Sequence, residues 1–396
     1  MTTIERTEVP DLLAQVERIR PIVEEHAEAG DLNRRMAPQI YEALQRSGLN
    51  RTWLPAAYGG HELHPAAAYR ILERLSEIDG AVGWNLNQHM AVTTLAAWLP
   101  KEGLDEIWAD PDAGFAGVFW PAGSAREVPG GFRVSATVRF ASNSQFATWF
   151  LVPAIVMEDG APRIDPQTGG PDFLASVIRM SEGTINETWR TMGMRATASN
   201  DVTVKDVFVP AHRAVRVFAP RETPAAVAGP LYRMAPWPGV QAHAAVPLGI
   251  ARAAVNRLCS LAQTKVPNFY ETTLRDRAVA QYQAGEARAA VEAASAYLAS
   301  TATDACDTLA RGGALDWDQK TALQLSAANA AEATMRAISL VHQAVGTSGM
   351  REEAGFEKLF RDANTIVQHA AVQTNRFESV GRVMFGLEPD WFAFQL

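Results

Sequence analysis

Residues 187–210 read ETWRTMGMRATASNDVTVKDVFVP, the most specific pattern in the chain. Valines alternate with other side chains from Asp201 onward, which predicts a strand with one buried face. Upstream of it, short segments rich in Val, Phe, Thr and Trp are separated by Gly, Pro and Asp-Gly, the composition of strands and turns. The predicted strands are 117–120, 131–141, 148–155, 175–179 and 202–209.

The stretch EVPGGFRV predicts a hairpin inside this region, with its turn at Gly130 and Gly131. Together, the hairpin and the other short strands indicate a β-barrel or sandwich of roughly 100 residues.

Helical patterns flank the β-rich region on both sides. Before it, residues 9–110 are predicted to be helical, because Leu12, Val16 and Ile19 recur at the spacing of one buried helix face. After it, alanine-rich helices are predicted from about residue 240 to 386, and small side chains let such helices pack closely, in a bundle that also serves as an oligomer interface. No βαβ alternation occurs, so the fold class is α+β. The predicted domains are an N-terminal helical domain at 1–114, a middle β-barrel at 115–230 and a C-terminal helical bundle at 231–396.

Composition excludes several classes of protein. The 396 residues carry a formal charge of −8, which disfavours a dedicated nucleic-acid binder. Two cysteines, Cys259 and Cys306, cannot build a disulfide framework or a thiolate metal cage, and they fit a reducing compartment. No apolar run approaches the roughly 20 residues that a membrane span needs, and the N-terminus lacks the apolar core of a secretory signal. These features predict a soluble, cytoplasmic, multi-domain protein.

Short catalytic motifs are absent from the sequence. It contains no GxGxxG after a strand, no GxxxxGK[ST], no HExxH, no CxxC and no GxSxG. His61 and His64 are close in sequence but have no third ligand, so no metal site is predicted. Any chemistry must therefore come from dispersed residues or from a bound cofactor.

The stretch at 187–210 resembles a pattern of the acyl-CoA dehydrogenase superfamily, W-x-x-x-G-M-R-x-T-x-S-x-D-V-x-V-x-x-V-x-V-P. The likeness runs from about residue 15 to 386, and the nearest branch is the two-component flavin-dependent monooxygenases, the group D hydroxylases. It implies an N-terminal helical domain, a middle β-barrel and a C-terminal four-helix bundle. In this stretch the resemblance implies that Trp189, Arg195, Thr197 and Ser199 contact a flavin.

Two upstream stretches extend the resemblance. GVFWPAGSA at 117–125 is similar to the dehydrogenase pattern T-E-P-x-A-G-S-D, which implies that Trp120 and Ser124 contact the flavin. VRFASNSQFATWF at 138–150 resembles the monooxygenase pattern W-x-F-x-S-G-x-x-x-A-x-W. This match implies that Ser142 approaches flavin N5, although Asn143 replaces the usual glycine.

The helical regions carry the remaining implied site residues. FEKLFRDANTIVQHAAVQTNR at 356–376 is similar to the helix on which the monooxygenases carry a histidine beside flavin C4a, so His369 is the implied base or hydrogen-bond partner of the peroxide. WNLNQHM at 84–90 implies that His89 contacts substrate. LRDRAVAQYQAGEARA at 274–289 implies that Arg275 and Gln281 reach the flavin of a neighbouring subunit.

The resemblance implies the oxygenase component of a two-component monooxygenase. A separate NAD(P)H:flavin reductase supplies FADH2 or FMNH2, and a flavin C4a-hydroperoxide formed with molecular oxygen hydroxylates the substrate. Trp84, Trp120, Trp149 and Trp189 lie in the matching stretches and suit an aromatic or heteroaromatic small molecule. The chain is expected to form a homo-oligomer, a tetramer, with no metal, membrane or nucleic acid.

Two alternatives stay open at this stage. Glu353 stands eight residues before Arg361, the place of the catalytic glutamate in many acyl-CoA dehydrogenases, where a carboxylate removes the α-proton of a thioester. Alternatively, Glu353 is an ordinary acidic residue of a charged surface loop, beside Glu352. The chain could also be a scaffold that kept the fold and lost the chemistry.

Overall fold

The computed structural model describes residues 5–219 and 222–396, so the first four residues and the 220–221 pair, which the predicted domains include, lie outside the description. The N-terminal part is helical. Its first helix buries the predicted face, including Leu12, Val16 and Ile19. The helices are α1 (Glu5–Asn33), α2 (Pro38–Arg46), α3 (Pro65–Ile78), α4 (Gly80–Ala96) and α5 (Lys101–Ile107).

A mixed sheet follows these helices. Its strands are β1 (Phe115–Gly117), β2 (Gly123–Val128), β3 (Gly131–Val138), β4 (Trp149–Glu158), β5 (Ala161–Pro162), β6 (Phe173–Arg179), β7 (Thr184–Asn186), β8 (Asp201–Pro210) and β9 (Ala214–Arg216). Along the main path the order is β7-β8-β3-β2-β4-β6-β9, while β1 and β5 pair with β4. The predicted hairpin is confirmed as β2 and β3, with Gly130 at φ 82° in the turn.

The sheet differs from the expected barrel in two respects. Among the described residues, β7 and β9 are the ends of the path and are not paired with each other, so hydrogen bonds do not close the sheet. The strand expected at 117–120 ends at Gly117, whose φ of 153° brings its backbone against Leu151 of β4.

The C-terminal part is again helical. Its elements are α6 (Pro230–Arg233), α7 (Trp237–Ala262), α8 (Ala278–Ala310), α9 (Trp317–Val345), α10 (Phe356–Ile366) and α11 (Arg376–Met384). The three long helices pack on one another, and alanines such as Ala294 and Ala327 are completely buried between them. Small side chains therefore do serve close helix packing here. The order of helices, mixed sheet and helices confirms the α+β fold class.

Polar side chains tie the start of α4 to both flanking regions. Asp79 caps α4 by accepting hydrogen bonds from the N–H groups of Ala81 and Val82. Lys358 of α10 bridges Asp79 and Asp362 at 2.9 and 2.7 Å. Asp362 also accepts the N–H of Met194 at 2.5 Å. This buried group fixes α4, α10 and the loop before β8 relative to one another.

Candidate active site

Three hydroxyl groups and one indole form a continuous buried network where the sheet meets α4. Trp84 Nε1 donates to Ser142 Oγ at 3.0 Å, and Ser142 Oγ lies 2.6 Å from Ser199 Oγ. Ser199 Oγ lies 2.6 Å from Thr197 Oγ1, which donates to the carbonyl of Met194 at 2.8 Å. We call Trp84, Ser142, Ser199 and Thr197 the hydroxyl network.

Strand register explains why residues so far apart in sequence meet. Val138 of β3 pairs with Val202 of antiparallel β8, so the loop that leaves β3 lies beside the loop that enters β8. The N–H of Ala141 donates to the carbonyl of Asn200 at 3.0 Å and joins the two loops. Asn143 and Ala198 hold positive φ values of 64° and 46°. Such angles are costly for residues other than glycine and concentrate at functional sites.

The proton positions in the network follow from its last acceptor. The hydroxyl hydrogen of Thr197 points to the Met194 carbonyl, so Thr197 must accept from Ser199. Ser199 then spends its own hydrogen and must accept from Ser142. Ser142 accepts one hydrogen bond from Trp84 and retains one unused lone pair. The network therefore presents Ser142 as a hydrogen-bond acceptor.

Trp84 also packs against the rings of two histidines. The rings of His243 and His369 stack with centroids 4.4 Å apart and planes 22° from parallel. The edge contacts of Trp84 to these rings have centroid distances of 4.9 Å to His243 and 5.2 Å to His369. We call these three residues the ring cluster. His369 lies just after α10 and keeps part of its surface accessible, whereas His243 of α7 is buried.

Both stacked histidines favour the uncharged form. Burial lowers the pKa of His243 to about 4. Burial, and next the positive charge that His243 can carry, hold the pKa of His369 well below its ordinary value of 6.5. Although His369 is partly accessible, protein atoms surround its ring closely enough for desolvation to dominate. At neutral pH the ring cluster is uncharged.

The ring of His89, also on α4, binds backbone groups and takes no part in the hydroxyl network or the ring cluster. Its Nε2–H donates to the Asn50 carbonyl at 2.8 Å, and its Nδ1 accepts the N–H of Phe115 at 3.1 Å. Both nitrogens therefore bind backbone groups, and burial lowers the pKa of His89 to about 4. The ring ties α4 to β1, an arrangement that leaves it no nitrogen for a substrate.

The other predicted flavin contacts fall in several places. Trp189 lies at the edge of the site, where its indole donates to the Met194 carbonyl at 3.0 Å, and Arg195 pairs with Asp31 at 3.5 Å. Trp120 is 62% exposed and packs on Phe392, with centroids 5.5 Å apart. The remaining three lie on exposed surfaces outside the hydroxyl network: Ser124 of β2, Arg275 and Gln281. Roles for these residues stay predictions.

Glu353, the base of the alternative chemistry, lies on the surface. Its side chain is 70% exposed and pairs with the equally exposed Arg351 at 2.9 Å. The hydrogen bonds of its own backbone and of Arg351 lower the pKa of this carboxyl group. A base that removes an α-proton needs a dry pocket and a raised pKa. Neither condition holds at Glu353 in this chain.

A cavity of about 370 Å³ has Trp98, Trp237 and Lys320 among the residues that line it. Trp237 is six residues before His243 on α7, a rise of about 9 Å. Its buried indole N–H has no hydrogen-bond partner among the described residues. The volume suits a small aromatic molecule.

Two residues of the site were not predicted from the sequence, His243 and Gln88. His243 lies in the apolar run QAHAAV, where a single buried imidazole is unusual, and that isolation is the signal that could have identified it. Gln88 directly precedes His89, and helical spacing places it one turn after Trp84 on the same face of α4. The structure thus brings Ser142 and His369 together with Trp84, and adds His243 and Gln88.

The site has the groups that a flavin requires. Directly after Ser142 and Asn143, the buried Ser144 hydroxyl and Gln145 side-chain oxygen have no hydrogen-bond partner among the described residues. Unsatisfied buried polar atoms indicate a missing partner with polar edges. Beside them, Phe140 is 64% exposed and meets Trp189 edge-on at 6.1 Å, leaving aromatic surface for a flat ring. In the described ranges, no group of three His, Cys, Asp or Glu side chains could hold a metal ion.

The chain is similar to known proteins over nearly its whole length. Residues 11–103 match the family described as acyl-CoA dehydrogenase, N-terminal domain, and residues 241–374 match acyl-CoA dehydrogenase, C-terminal domain. An indole-3-acetate monooxygenase of Pseudomonas putida is 30% identical over 91% of this chain and 90% of its own. The flavin-dependent monooxygenase oxygenase subunit HsaA of Mycobacterium tuberculosis is 26% identical over 98% of this chain and 99% of its own.

Solved structures agree with these sequence relatives. XiaF from Streptomyces sp., solved in complex with FADH2 and glycerol, superposes with a TM-score of 0.89 at 26% identity over 98% of both chains. The HsaA monooxygenase of M. tuberculosis superposes with a TM-score of 0.88 at 26% identity, over 97% of this chain and 99% of its own.

Proposed function

The chain belongs to the acyl-CoA dehydrogenase family, in its branch of flavin-dependent monooxygenases, and from that premise we propose that it is a reduced-flavin-dependent oxygenase component that hydroxylates an aromatic or heteroaromatic small molecule. The observation that carries the proposal is the meeting of the hydroxyl network with the ring cluster at Trp84. Many dehydrogenases of this family carry their carboxylate base at the position of Glu353, where the base must be buried, and here Glu353 is on the surface.

The hydroxyl network supports a specific preference for reduced flavin. When bound, this cofactor supplies the electrons that activate dioxygen. Ser142 keeps an unused lone pair and no free hydrogen, so it suits an N–H donor. Reduced flavin carries such a donor at N5, whereas oxidised flavin has a bare nitrogen there. Ser142 would therefore hold the reduced form, and the Ser144 and Gln145 side chains would meet the polar edge of the ring.

Retention of the proton on flavin N5, next to Ser142, matters for the outcome of the reaction. Proton loss from flavin N5 favours release of hydrogen peroxide in place of oxygen transfer to substrate. Ser142 is buried, and its partners Trp84 and Ser199 are neutral, so the site offers no base at this point. The hydroxyl network is thus suited to keeping the N5 proton in place.

Substrate chemistry is proposed from the walls of the site. Trp84, His243 and His369 offer flat aromatic surfaces, and the separate 370 Å³ cavity has the aromatic walls Trp98 and Trp237. Such walls suit a planar ring better than an acyl chain. Indole-3-acetate and resorcinol, which appear in the names of relatives, are reasonable first compounds to test.

The chain is proposed to act as a homotetramer and to receive its flavin from a separate NAD(P)H:flavin reductase. Exposed apolar side chains surround Arg275 and Gln281 on the segment before and at the start of α8. They are Val266, Phe269, Tyr270, Val279 and Tyr282. A large exposed apolar patch of this kind marks an interface, so a neighbouring subunit is its proposed occupant.

A cytoplasmic location completes the proposal. The chain has only two cysteines, Cys259 and Cys306, in keeping with a reducing compartment. No described helix is long and apolar enough to cross a membrane.

Flavin binding under anaerobic conditions tests the proposed function. We expect the chain to bind FADH2 or FMNH2 more tightly than the corresponding oxidised flavin. Ser142→Ala should reduce this preference, whereas Ser300→Ala, at an exposed hydroxyl of α8, should leave it unchanged. Equal binding of both redox states, or bleaching of oxidised flavin by acyl thioesters, would contradict the proposal.

A further inference from the structure

The stacked histidines suggest a role that neither the family match nor the sequence pattern assigns. We propose that His243 and Gln88 are a positioning pair that fixes the ring of His369 and keeps it uncharged, so that His369 acts through Nε2–H as a neutral hydrogen-bond donor. His243 and Gln88 lie on α7 and α4, which approach closely at Gly239 and Ala91.

Both nitrogens of His243 are occupied. Its Nδ1 makes a short hydrogen bond to the carbonyl of Gly239, which can only accept, so Nδ1 carries the hydrogen. Its Nε2 lies 3.0 Å from the Nε2 of Gln88, an NH₂ group that donates. This arrangement holds His243 in one tautomer and one orientation. A second proton on His243 Nε2 would face the hydrogens of Gln88.

His369 is held from two sides. The face of its ring stacks on the immobilised ring of His243, and its Nδ1 accepts the N–H of Ala371 at 3.3 Å. The neutral ring therefore carries its hydrogen on Nε2. Among the described residues Nε2 of His369 has no hydrogen-bond partner, and the side chain is partly accessible. The Nε2–H group is thus free to donate to a bound oxygen atom.

The surroundings provide no charged group that would stabilise a positive charge on either ring. On α4, Trp84 and Gln88 face the two histidines. From the sheet loops, Ser142 accepts a hydrogen bond from Trp84. The histidines themselves lie on α7 and on the segment after α10. Within the described ranges, no carboxylate, ammonium or guanidinium group forms a hydrogen bond or ion pair with His243 or His369. On α10, Lys358 is paired with Asp79 and Asp362, and Arg361 is paired with Asp31 and Glu357.

The direction of the histidine pKa values agrees with this geometry. Burial lowers the pKa of both rings, and each charged ring would repel the other across the stack. A protonated Nδ1 on His369 would also oppose the Ala371 N–H. His369 therefore lacks a free basic nitrogen at neutral pH, and of the two roles predicted from the sequence, the structure favours the donor over the base. Which oxygen receives the hydrogen bond rests on the proposed function; the charge and tautomer of the pair do not.

Histidine NMR on the flavin-free chain tests the charge and tautomer directly. The chain has eight histidines, and ¹³C,¹⁵N-histidine labelling with single-residue variants assigns the two signals. We expect His369 as the Nε2–H tautomer and His243 as the Nδ1–H tautomer at neutral pH, with neither titrating near 6.5. An Nδ1–H tautomer for His369, or its titration at 6.5, would overturn the proposal.

Two variants with opposite effects test the positioning role. His243→Phe keeps a stacking ring but removes the second titratable group, so the pKa of His369 should rise. Gln88→Glu offers His243 a carboxylate of the same length, so the pKa of His243 should rise and that of His369 should fall. His26→Gln, far along α1, is the control and should change neither signal. If both variants leave His369 unchanged, His243 does not position it.

Turnover provides a second measurement for chains that carry reduced flavin. The fraction of oxygen converted to product, rather than to hydrogen peroxide, should be insensitive to pH around 6.5 in the wild type. His243→Phe should move any inflection at acidic pH to higher pH, still below 6.5, because the burial of His369 remains. Circular dichroism melting separates this outcome from loss of folding, and Gln88→Glu provides the second variant if His243→Phe does not fold. An absence of all oxygenation with normal NMR results would contradict the proposed function but not the pair.

Discussion

Acidification should destabilise the chain through its buried neutral histidines, and His89 allows the magnitude to be worked out. In the folded chain its pKa is about 4, because burial opposes the charged form and both nitrogens bind backbone groups. In the unfolded chain it returns to about 6.5. Between these values the unfolded chain binds a proton that the folded chain does not. The stability contribution is thus complete above pH 6.5 and is lost as the pH falls toward 4.

Between pH 7 and pH 5 this loss amounts to about 2 kcal/mol, because each unit of separation in pKa is worth about 1.36 kcal/mol. His89→Gln removes the titrating group and keeps an amide of similar length. The variant should therefore lose about 2 kcal/mol less than the wild type over the same pH interval.

Urea unfolding followed by tryptophan fluorescence at both pH values measures the difference. The comparison is between pH dependences, so any constant cost of the substitution cancels. His26→Gln serves as the control, because no hydrogen bond to a buried backbone group holds that ring within the described residues. Equal pH dependence in the wild type and in His89→Gln would refute the assignment of His89 as a buried neutral ring.

Three further predictions concern the site and its supports. Ser142→Ala should raise the hydrogen peroxide released per oxygen consumed, since the acceptor for flavin N5–H is lost, whereas Ser300→Ala, at an exposed site, should not; a peroxide yield unchanged in both would remove the role of Ser142. Lys358→Met strands two buried carboxylates and should cost about 3–5 kcal/mol in urea unfolding, while Lys205→Met, at an exposed site, should cost almost nothing. Glu353→Gln should leave turnover within about twofold of the wild type, and a loss of the size typical of an acid–base residue, about 10²–10⁴-fold, would restore the dehydrogenase alternative.

Much of the fold was accessible from local sequence patterns. The helical regions before and after the sheet follow from apolar periodicity. The closure of the sheet was not accessible in this way. Whether β7 and β9 pair depends on strand order and twist, which residue spacing does not encode. The strand expected at 117–120 ends at Gly117, where the backbone has a φ of 153° and packs directly against Leu151.

The candidate site was accessible only in part. Ser142, Thr197, Ser199 and His369 were predicted, and the structure joins the three hydroxyl residues to His369 through Trp84. His243 was missed, because a pattern based on one segment cannot show that two imidazoles 126 positions apart in sequence stack on each other.

His89 shows the converse limit of residue patterns. A histidine in an apolar helix has the same sequence signature whether it faces a substrate or a backbone carbonyl. Only the structure shows that Asn50 and Phe115 take both of its nitrogens. Trp149 was expected to suit an aromatic substrate, but the structure buries it in the sheet. The guanidinium carbon of Arg179 lies 3.7 Å from the centre of its ring.

Isotope transfer from dioxygen tests the central proposal most directly. The chain, loaded with reduced FAD or FMN without oxygen, is mixed with ¹⁸O₂ and an aromatic compound such as indole-3-acetate or resorcinol, and product and peroxide are analysed by mass spectrometry. The account predicts one ¹⁸O atom in the hydroxylated product and the other in water. Label found only in hydrogen peroxide with every aromatic compound, together with oxidation of an acyl thioester by the oxidised flavoprotein, would contradict it.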